Sequence, residues 1–269
     1  MPISPGSPTR IASVNATQIH YQLTGPEDQP TLVLSHSLGT DFAMWDPQVA
    51  EFPKHFRLLR YDTRGHGQSQ VTPGPYTFDV LGRDVLALAD HLGIGKFSFC
   101  GLSMGGVIGM WLAINASYRL RKVVLCSTAA KIGNADTWNA RIEQVRKAGT
   151  KSIASATMER WFTPTFRQQH PEAVEQIRRM VENSDKDGYI ACCEALREAD
   201  FRGGLYSIRT PTLVISGTHD PATTPSDGRF ISEQIPGARY AELDAAHMNN
   251  IERRQEFTKV VLEFLSSQS

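Results

Sequence analysis

A hydroxyl, an imidazole and a carboxylate can together make a nucleophile at neutral pH, because the base takes the hydroxyl proton and the carboxylate orients the base. The chain offers the hydroxyl in a telling place. Gly101-Leu102-Ser103-Met104-Gly105 is a G-x-S-x-G run, preceded by the apolar Phe97-Ser98-Phe99-Cys100 and followed by Gly106 and the apolar stretch Val107 to Asn115. Strand, sharp turn and helix in that order leave no room for side chains beside the serine, a demand that Gly101, Gly105 and Gly106 meet. Ser103 Oγ is thereby pushed out at the carboxyl edge of a sheet, where the free N–H groups opening the next helix face any oxyanion. Ser103 is the predicted nucleophile.

In a serine site of this kind the acid and then the histidine follow the nucleophile along the chain, each from a loop at a strand's carboxyl end. Of the histidines, only His170, His219 and His247 come after Ser103. His170 lies in a helical stretch and His219 adjoins the acid chosen next, so His247, after the strand-like Arg239 to Leu243, is the predicted base. The loop after Val123 to Leu125 has Ser127 and Thr128 but no carboxylate, whereas the loop after Leu213 to Ile215 has Asp220, the predicted acid. Asp244 is read as a turn residue, being too near His247 in sequence for an in-plane hydrogen bond. Backbone N–H groups of Met104 and Leu38 are the expected oxyanion donors.

The other polar residues are assigned structural roles. His36 and His66 brace loops, and Asp62 pairs with Arg64 beneath the active edge. His20, His55 and His91 occupy strand or surface settings without Cys or carboxylate company, so no metal and no cofactor are expected. Trp138 and Trp161 either fill the core of a helical segment or line a substrate cavity.

Short apolar runs alternate with helical patterns from residue 31 onward, which predicts an α/β fold with a mostly parallel sheet. Ile11 to Val14 and Gln18 to Leu23 flank Asn15-Ala16 as an opening antiparallel hairpin. Met44 to Phe52 is expected to be a short helix, and Thr77 to cap a longer one through Leu92. From residue 130 to 201 no strand-like run occurs. Trp138, Ile142 and Val145, then Val174, Ile177 and Val181, then Ile190, Cys193 and Leu196 mark successive amphipathic helices, with Pro164 and Pro171 between them. Residues 1–129 and 202–269 are therefore expected to form the core domain, and residues 130–201 a helical cap over the sheet's carboxyl edge.

Composition narrows the partners. The 269 residues hold 28 Lys plus Arg against 28 Asp plus Glu, so no whole-chain field favours nucleic acid or an anionic membrane, and a small molecule is the expected partner. Met1 to Thr9 lacks an apolar core and is expected to be a loose tail rather than a signal peptide. The four cysteines show no metal-type spacing; buried reduced thiols suit a cytoplasmic protein.

With these residues assembled, the chain resembles the α/β-hydrolase family over nearly its full length, and within it the group of 3-oxoadipate enol-lactonases of the bacterial β-ketoadipate pathway. The likeness is carried by His36-Ser37-Leu38-Gly39-Thr40-Asp41, Met44-Trp45-Asp46, Tyr61 to Gly67, Gly101 to Gly106, Thr128 to Gly133, the Gly188 to Leu196 helix with Cys192-Cys193, and Gly217 to Thr223. Ser37, where the broader family usually has Gly, and Met248-Asn249-Asn250 after His247 are departures, the second at the cavity floor. Carried over residue by residue, the resemblance implies Ser103, Asp220 and His247 as the triad and Leu38 and Met104 as oxyanion donors. It implies a small anionic lactone as substrate, hence a cationic anchor among Lys131, Arg141 and Arg160, with Trp138 beside it. The same triad would also serve a cofactor-free perhydrolase or haloperoxidase, or a general carboxylesterase, and the fold alone would serve a small-molecule receptor. A dehalogenase is disfavoured, since that chemistry wants Asp at the turn.

Overall fold

The computed structural model describes residues 8–267; of the tail expected at Met1 to Thr9, all but the last two residues lie outside them. Eight strands form one sheet: β1 (Arg10–Val14), β2 (Thr17–Thr24), β3 (Thr31–Ser35), β4 (Arg57–Tyr61), β5 (Phe97–Leu102), β6 (Leu120–Cys126), β7 (Thr212–Gly217) and β8 (Arg239–Leu243). Their order is β1-β2-β4-β3-β5-β6-β7-β8. The hairpin β1–β2 and the β2–β4 pair are antiparallel, and every pair from β4 to β8 is parallel. Asn15 and Ala16 both take positive φ, 46° and 56°, the twist that a two-residue hairpin turn needs.

Strands β3, β5 and β7 are buried along their whole length, as continuous apolar runs flanked by helices on both faces should be. The helices of the sheet region are α1 (Phe78–His91) and α2 (Met104–Asn115). Thr77 caps α1 by accepting the Val80 N–H, and Leu81, Val85 and Leu88 turn inward. The short helix expected at Met44 to Phe52 is instead a 3-10 segment, Phe42–Gln48, started by the Asp41 carboxylate on the Ala43 N–H at 2.8 Å. Pro47 inside it cannot donate the bond that a longer α-helix would require.

Between β6 and β7 stand five helices: α3 (Ala135–Ala148), α4 (Lys151–Trp161), α5 (Pro164–Gln169), α6 (Pro171–Asn183) and α7 (Lys186–Glu198). The apolar periodicity marks three of these, in α3, α6 and α7. Helix α4 escapes it because much of its buried face is small or polar, Ala154 and Thr157 beside Ile153 and Met158. Pro164 and Pro171 open helices rather than merely separating them, since the first turn has no use for the missing N–H. The block leaves and rejoins the sheet at adjacent points, where Phe201 N–H meets Ala130 carbonyl at 2.8 Å. Its α7 is seated on the loop after β4 backbone to backbone: a Cβ on Gly188 would lie 2.1 Å from the Gly65 carbonyl oxygen. Three helices complete the chain after β7, α8 (Pro225–Gln234), α9 (Asn249–Glu252) and α10 (Arg254–Ser266). Among the described residues no helix is long and apolar enough to cross a membrane.

Candidate active site

Strand β5 delivers Ser103 into a backbone conformation that side-chain-bearing residues avoid, φ 58° and ψ −115°, which costs about 1–3 kcal/mol. Neighbours on both sides hold it there. Ser103 N–H donates to the Cys126 carbonyl at 2.9 Å, and Thr128 Oγ1 donates to the Ser103 carbonyl at 2.9 Å. The glycines are steric necessities: a Cβ on Gly101 would lie 2.1 Å from the Gly105 carbonyl oxygen, and one on Gly105 would lie 2.3 Å from that of Ser35. Met104 is the first residue of α2, so its N–H has no acceptor within the helix.

Leu38 sits in the loop after β3, whose shape is set by two buried neutral histidines. His66 Nε2 accepts the Gly39 N–H at 2.9 Å, and His36 Nε2 accepts the Thr63 N–H at 2.8 Å. Only an unprotonated nitrogen can accept. Burial, reinforced by His36, holds His66 down at about 3, and burial likewise lowers His36 against the pull of Asp62. Both histidines therefore brace loops. Asp62 and Arg64, expected to pair with each other, do not. Asp62 takes His20 at 2.7 Å, and Arg64 reaches Asp84 on α1 at 2.7 and 2.8 Å. The partners come from β2 and α1, so they are invisible in the local sequence.

His247 and Asp220 emerge from the loops after β8 and β7. His247 Nδ1 lies 2.7 Å from Asp220 Oδ2, and both residues are buried. Asp220 also accepts the Thr223 hydroxyl at 2.8 Å and the N–H groups of Ala222 and Thr223 at 2.8 and 3.1 Å. Burial pushes the Asp220 carboxyl up, but the charge and hydrogen bond of His247, with the bonds from Thr223 and Ala222, outweigh it and hold the group below the ordinary aspartate value. It stays ionised beside the imidazole. With Nδ1 committed to Asp220, Nε2 is the ring nitrogen left uncommitted, and His247 and Ser103 border the same cavity. Among the described residues the Ser103 hydroxyl makes no hydrogen bond. Asp244, the other carboxylate near His247, is exposed and holds His219 and Arg253 at 2.8 and 2.6 Å.

A cavity of about 360 Å³ lies over Ser103 and His247. Its floor includes Ser37, Leu38 and Thr223, and its roof comes from α3, α4 and α7 through Trp138, Arg141, Thr157, Arg160, Trp161 and Tyr189. Trp138 is fixed by its Nε1–H on the Ile132 carbonyl at 2.7 Å, and Trp161 stacks on the His247 ring with centroids 5.7 Å apart. Arg141 donates to the Tyr189 hydroxyl at 3.3 Å and Arg160 to the Thr157 hydroxyl at 3.5 Å. Among the described residues neither guanidinium forms an ion pair with a carboxylate. Burial and then the Arg141 charge lower the Arg160 value, the sign of two like charges sharing a poorly solvated space. Lys131 does not border this cavity; its ammonium is turned to Asp200 at 3.5 Å. Thr157 and Tyr189 also line the cavity, roles that sequence reasoning does not assign, although Tyr189 lies in the Gly188 to Leu196 run that carries the resemblance. Thr157 shares a helical face with Arg160 and Trp161, a signal that depends on first recognising α4.

Known proteins place the chain among relatives. Residues 30–254 match the family described as alpha/beta hydrolase fold. The chain is 46% identical to 3-oxoadipate enol-lactonase 2 of Acinetobacter baylyi over 243 residues, covering 90% of this chain and 91% of that one. It is 41% identical to 3-oxoadipate enol-lactonase 1 of the same organism, covering 96% of each. The crystal structure of the enol-lactonase from Burkholderia xenovorans superposes with a TM-score of 0.95 at 48% identity, covering 96% of this chain and all of the other. Family match, relatives and superposition agree with the mostly parallel, helix-flanked sheet, and the chain is a hydrolase belonging to the α/β-hydrolase family.

Proposed function

We propose that the chain opens 3-oxoadipate enol-lactone to 3-oxoadipate, with Ser103, His247 and Asp220 as its catalytic triad. The observation that carries this reading is a pair of arginines, Arg141 and Arg160, facing the cavity above Ser103 without a protein counter-ion among the described residues. A neutral ester gains little there, whereas a substrate carboxylate relieves the repulsion between them and accepts charge-assisted hydrogen bonds. The named enol-lactonases among the relatives act on a lactone, and 3-oxoadipate enol-lactone bears one free carboxylate.

His247 Nε2 takes the Ser103 proton as Oγ attacks the ring carbonyl carbon. The resulting oxyanion is held by the N–H groups of Leu38 and Met104. Collapse breaks the ring C–O bond, leaving an acyl-enzyme ester on Ser103 and an enolate that takes up the proton from the imidazolium and tautomerises to the ketone. An enolate leaves more readily than an alkoxide, so little proton donation is required. Water, deprotonated by His247, then attacks the ester, and Ser103 recovers its proton as 3-oxoadipate departs. Asp220 keeps the imidazole in the Nδ1–H tautomer and stabilises its positive form.

The test is loss of enol-lactone absorbance with wild-type and Ser103→Ala protein. Turnover by the first and a fall of about 10³- to 10⁶-fold in kcat by the second are expected. Absence of lactone turnover by folded wild-type protein that hydrolyses simple esters would replace the substrate while leaving the triad in place.

A further inference from the structure

One carboxylate beside the site belongs to none of the roles above. Glu252 ends α9, five residues after the imidazole, and is partly buried. Its two oxygens accept backbone N–H groups from opposite sides of the junction between the helical block and the sheet. Oε1 takes that of Thr163, just ahead of α5, at 2.5 Å, and Oε2 takes that of Ala246, the residue before His247, at 3.3 Å. On the far side of the imidazole, Met248 N–H donates to the Trp161 carbonyl at 3.0 Å, and the Trp161 ring covers the imidazole itself. Both chain neighbours of His247 are thus tied, directly or through Glu252, to residues 161–163 of the block.

A glutamate suits this bridge because an ionised carboxylate is acceptor-only and has two oxygens to offer two N–H groups; Gln would present an NH₂ to one of them, and Asp is a methylene too short. We propose that Glu252 is a positioning residue for hydrolysis, fastening the His247 loop to the Trp161–Thr163 segment so that the imidazole's approach to Ser103 follows the seat of the helical block. This role rests on the triad reading and not on which ester is opened. Displacements of about 1 Å at a reacting group can cost roughly 10²-fold in rate, so a loosened loop should lower kcat while leaving KM nearly alone.

The bond can be deleted from the block's side without touching Glu252. Thr163 has φ −61° and the preceding Phe162 has ψ 140°, both compatible with proline at 163. Thr163→Pro removes the N–H, and Thr163→Ala, which equally loses the hydroxyl that caps α5, is its reference. The readouts are the rate at which a fluorophosphonate labels Ser103, a reaction needing the base but no lactone, and kcat and KM for p-nitrophenyl acetate and enol-lactone. Thr163→Pro should label about tenfold more slowly than Thr163→Ala, and Glu252→Gln and Glu252→Asp about 10- to 100-fold more slowly than wild type. KM should stay within about twofold throughout. Equal labelling rates for the two Thr163 variants would overturn the proposal, as would folded Glu252 variants with a lowered Tm and wild-type kcat. Should the Glu252 variants fail to fold, the Thr163 pair decides. A wild-type protein that the probe never labels, or a Ser103→Ala protein labelled at the wild-type rate, would instead refute the triad.

Discussion

The turn at Ser103 and the helical block above it solve opposite problems. At the turn, backbone approaches backbone so closely that a single methyl group on Gly101 or Gly105 would collide with a carbonyl oxygen. Ser103 is held there by covalent geometry, a main-chain bond to the Cys126 carbonyl and the Thr128 hydroxyl on its own carbonyl. Most of the block's helices are amphipathic, and their outer faces carry half-buried or exposed ion pairs, such as Glu175 with Arg178 and Arg179. Such pairs add little to stability. The block's inner face, by contrast, presents Arg141 and Arg160 to the cavity without carboxylate partners among the described residues. On the proposed reading, rigidity is placed where bonds are made and broken, and adjustable side chains are placed where the ligand is gripped.

That contrast is sharpest if the two regions govern different kinetic constants. The largest expected effect is at the sheet edge. Asp220→Asn should keep the geometry but favour the wrong imidazole tautomer, lowering kcat by about 10⁴-fold with KM little altered; steady-state kinetics across a substrate series checks both numbers. In the block, Arg141→Gln and Arg160→Gln should each raise KM for the anionic lactone by about 10- to 100-fold, the worth of a hydrogen bond to a charged group, while kcat holds. A neutral acetate ester should be indifferent to both. If either arginine variant lowered kcat without moving KM, the division of labour would fail.

The smallest expected effect lies where the regions meet. His66 braces the Leu38 loop and has Cys192 of α7 at 3.9 Å from its Nδ1. Held at about 3 by burial, it stays neutral in the folded protein while the unfolded chain takes up a proton near pH 6.5. The unfolded state then binds more protons between about pH 6.5 and 3, so stability falls as pH drops through that window. Tm measured between pH 7 and 4 should decline, and His66→Gln, which keeps an acceptor but cannot titrate, should flatten the slope by a few degrees. An unchanged slope would mean that other groups dominate the acid response.

How far each region could be read in advance follows from the same contrast. The turn writes itself into a short run of residues, because close backbone approach admits only glycine, and chain order then leads to Asp220 and His247. The buried strands were equally legible as continuous apolar runs. The block was not. Helix α4 buries Ala154 and Thr157 where a periodic pattern expects larger apolar residues, and Lys131, Arg141 and Arg160 differ only in where their side chains point, which local sequence does not record. The pairings of Asp62 with His20 and of Arg64 with Asp84 join residues 42 and 20 apart in sequence. Glu252 leaves little signal, since it is held chiefly by backbone N–H groups, which residue types do not record.

The glycine-on-glycine contact between Gly188 and Gly65 has a practical corollary for anyone wishing to redirect this scaffold. Arg141 on α3 and Arg160 on α4 can be exchanged to reshape the chamber, because each is held by a single side-chain hydrogen bond. The foot of α7 tolerates no such editing: any graft of a foreign lid must bring a residue without a side chain to that spot, or the whole roof will be lifted off its footing.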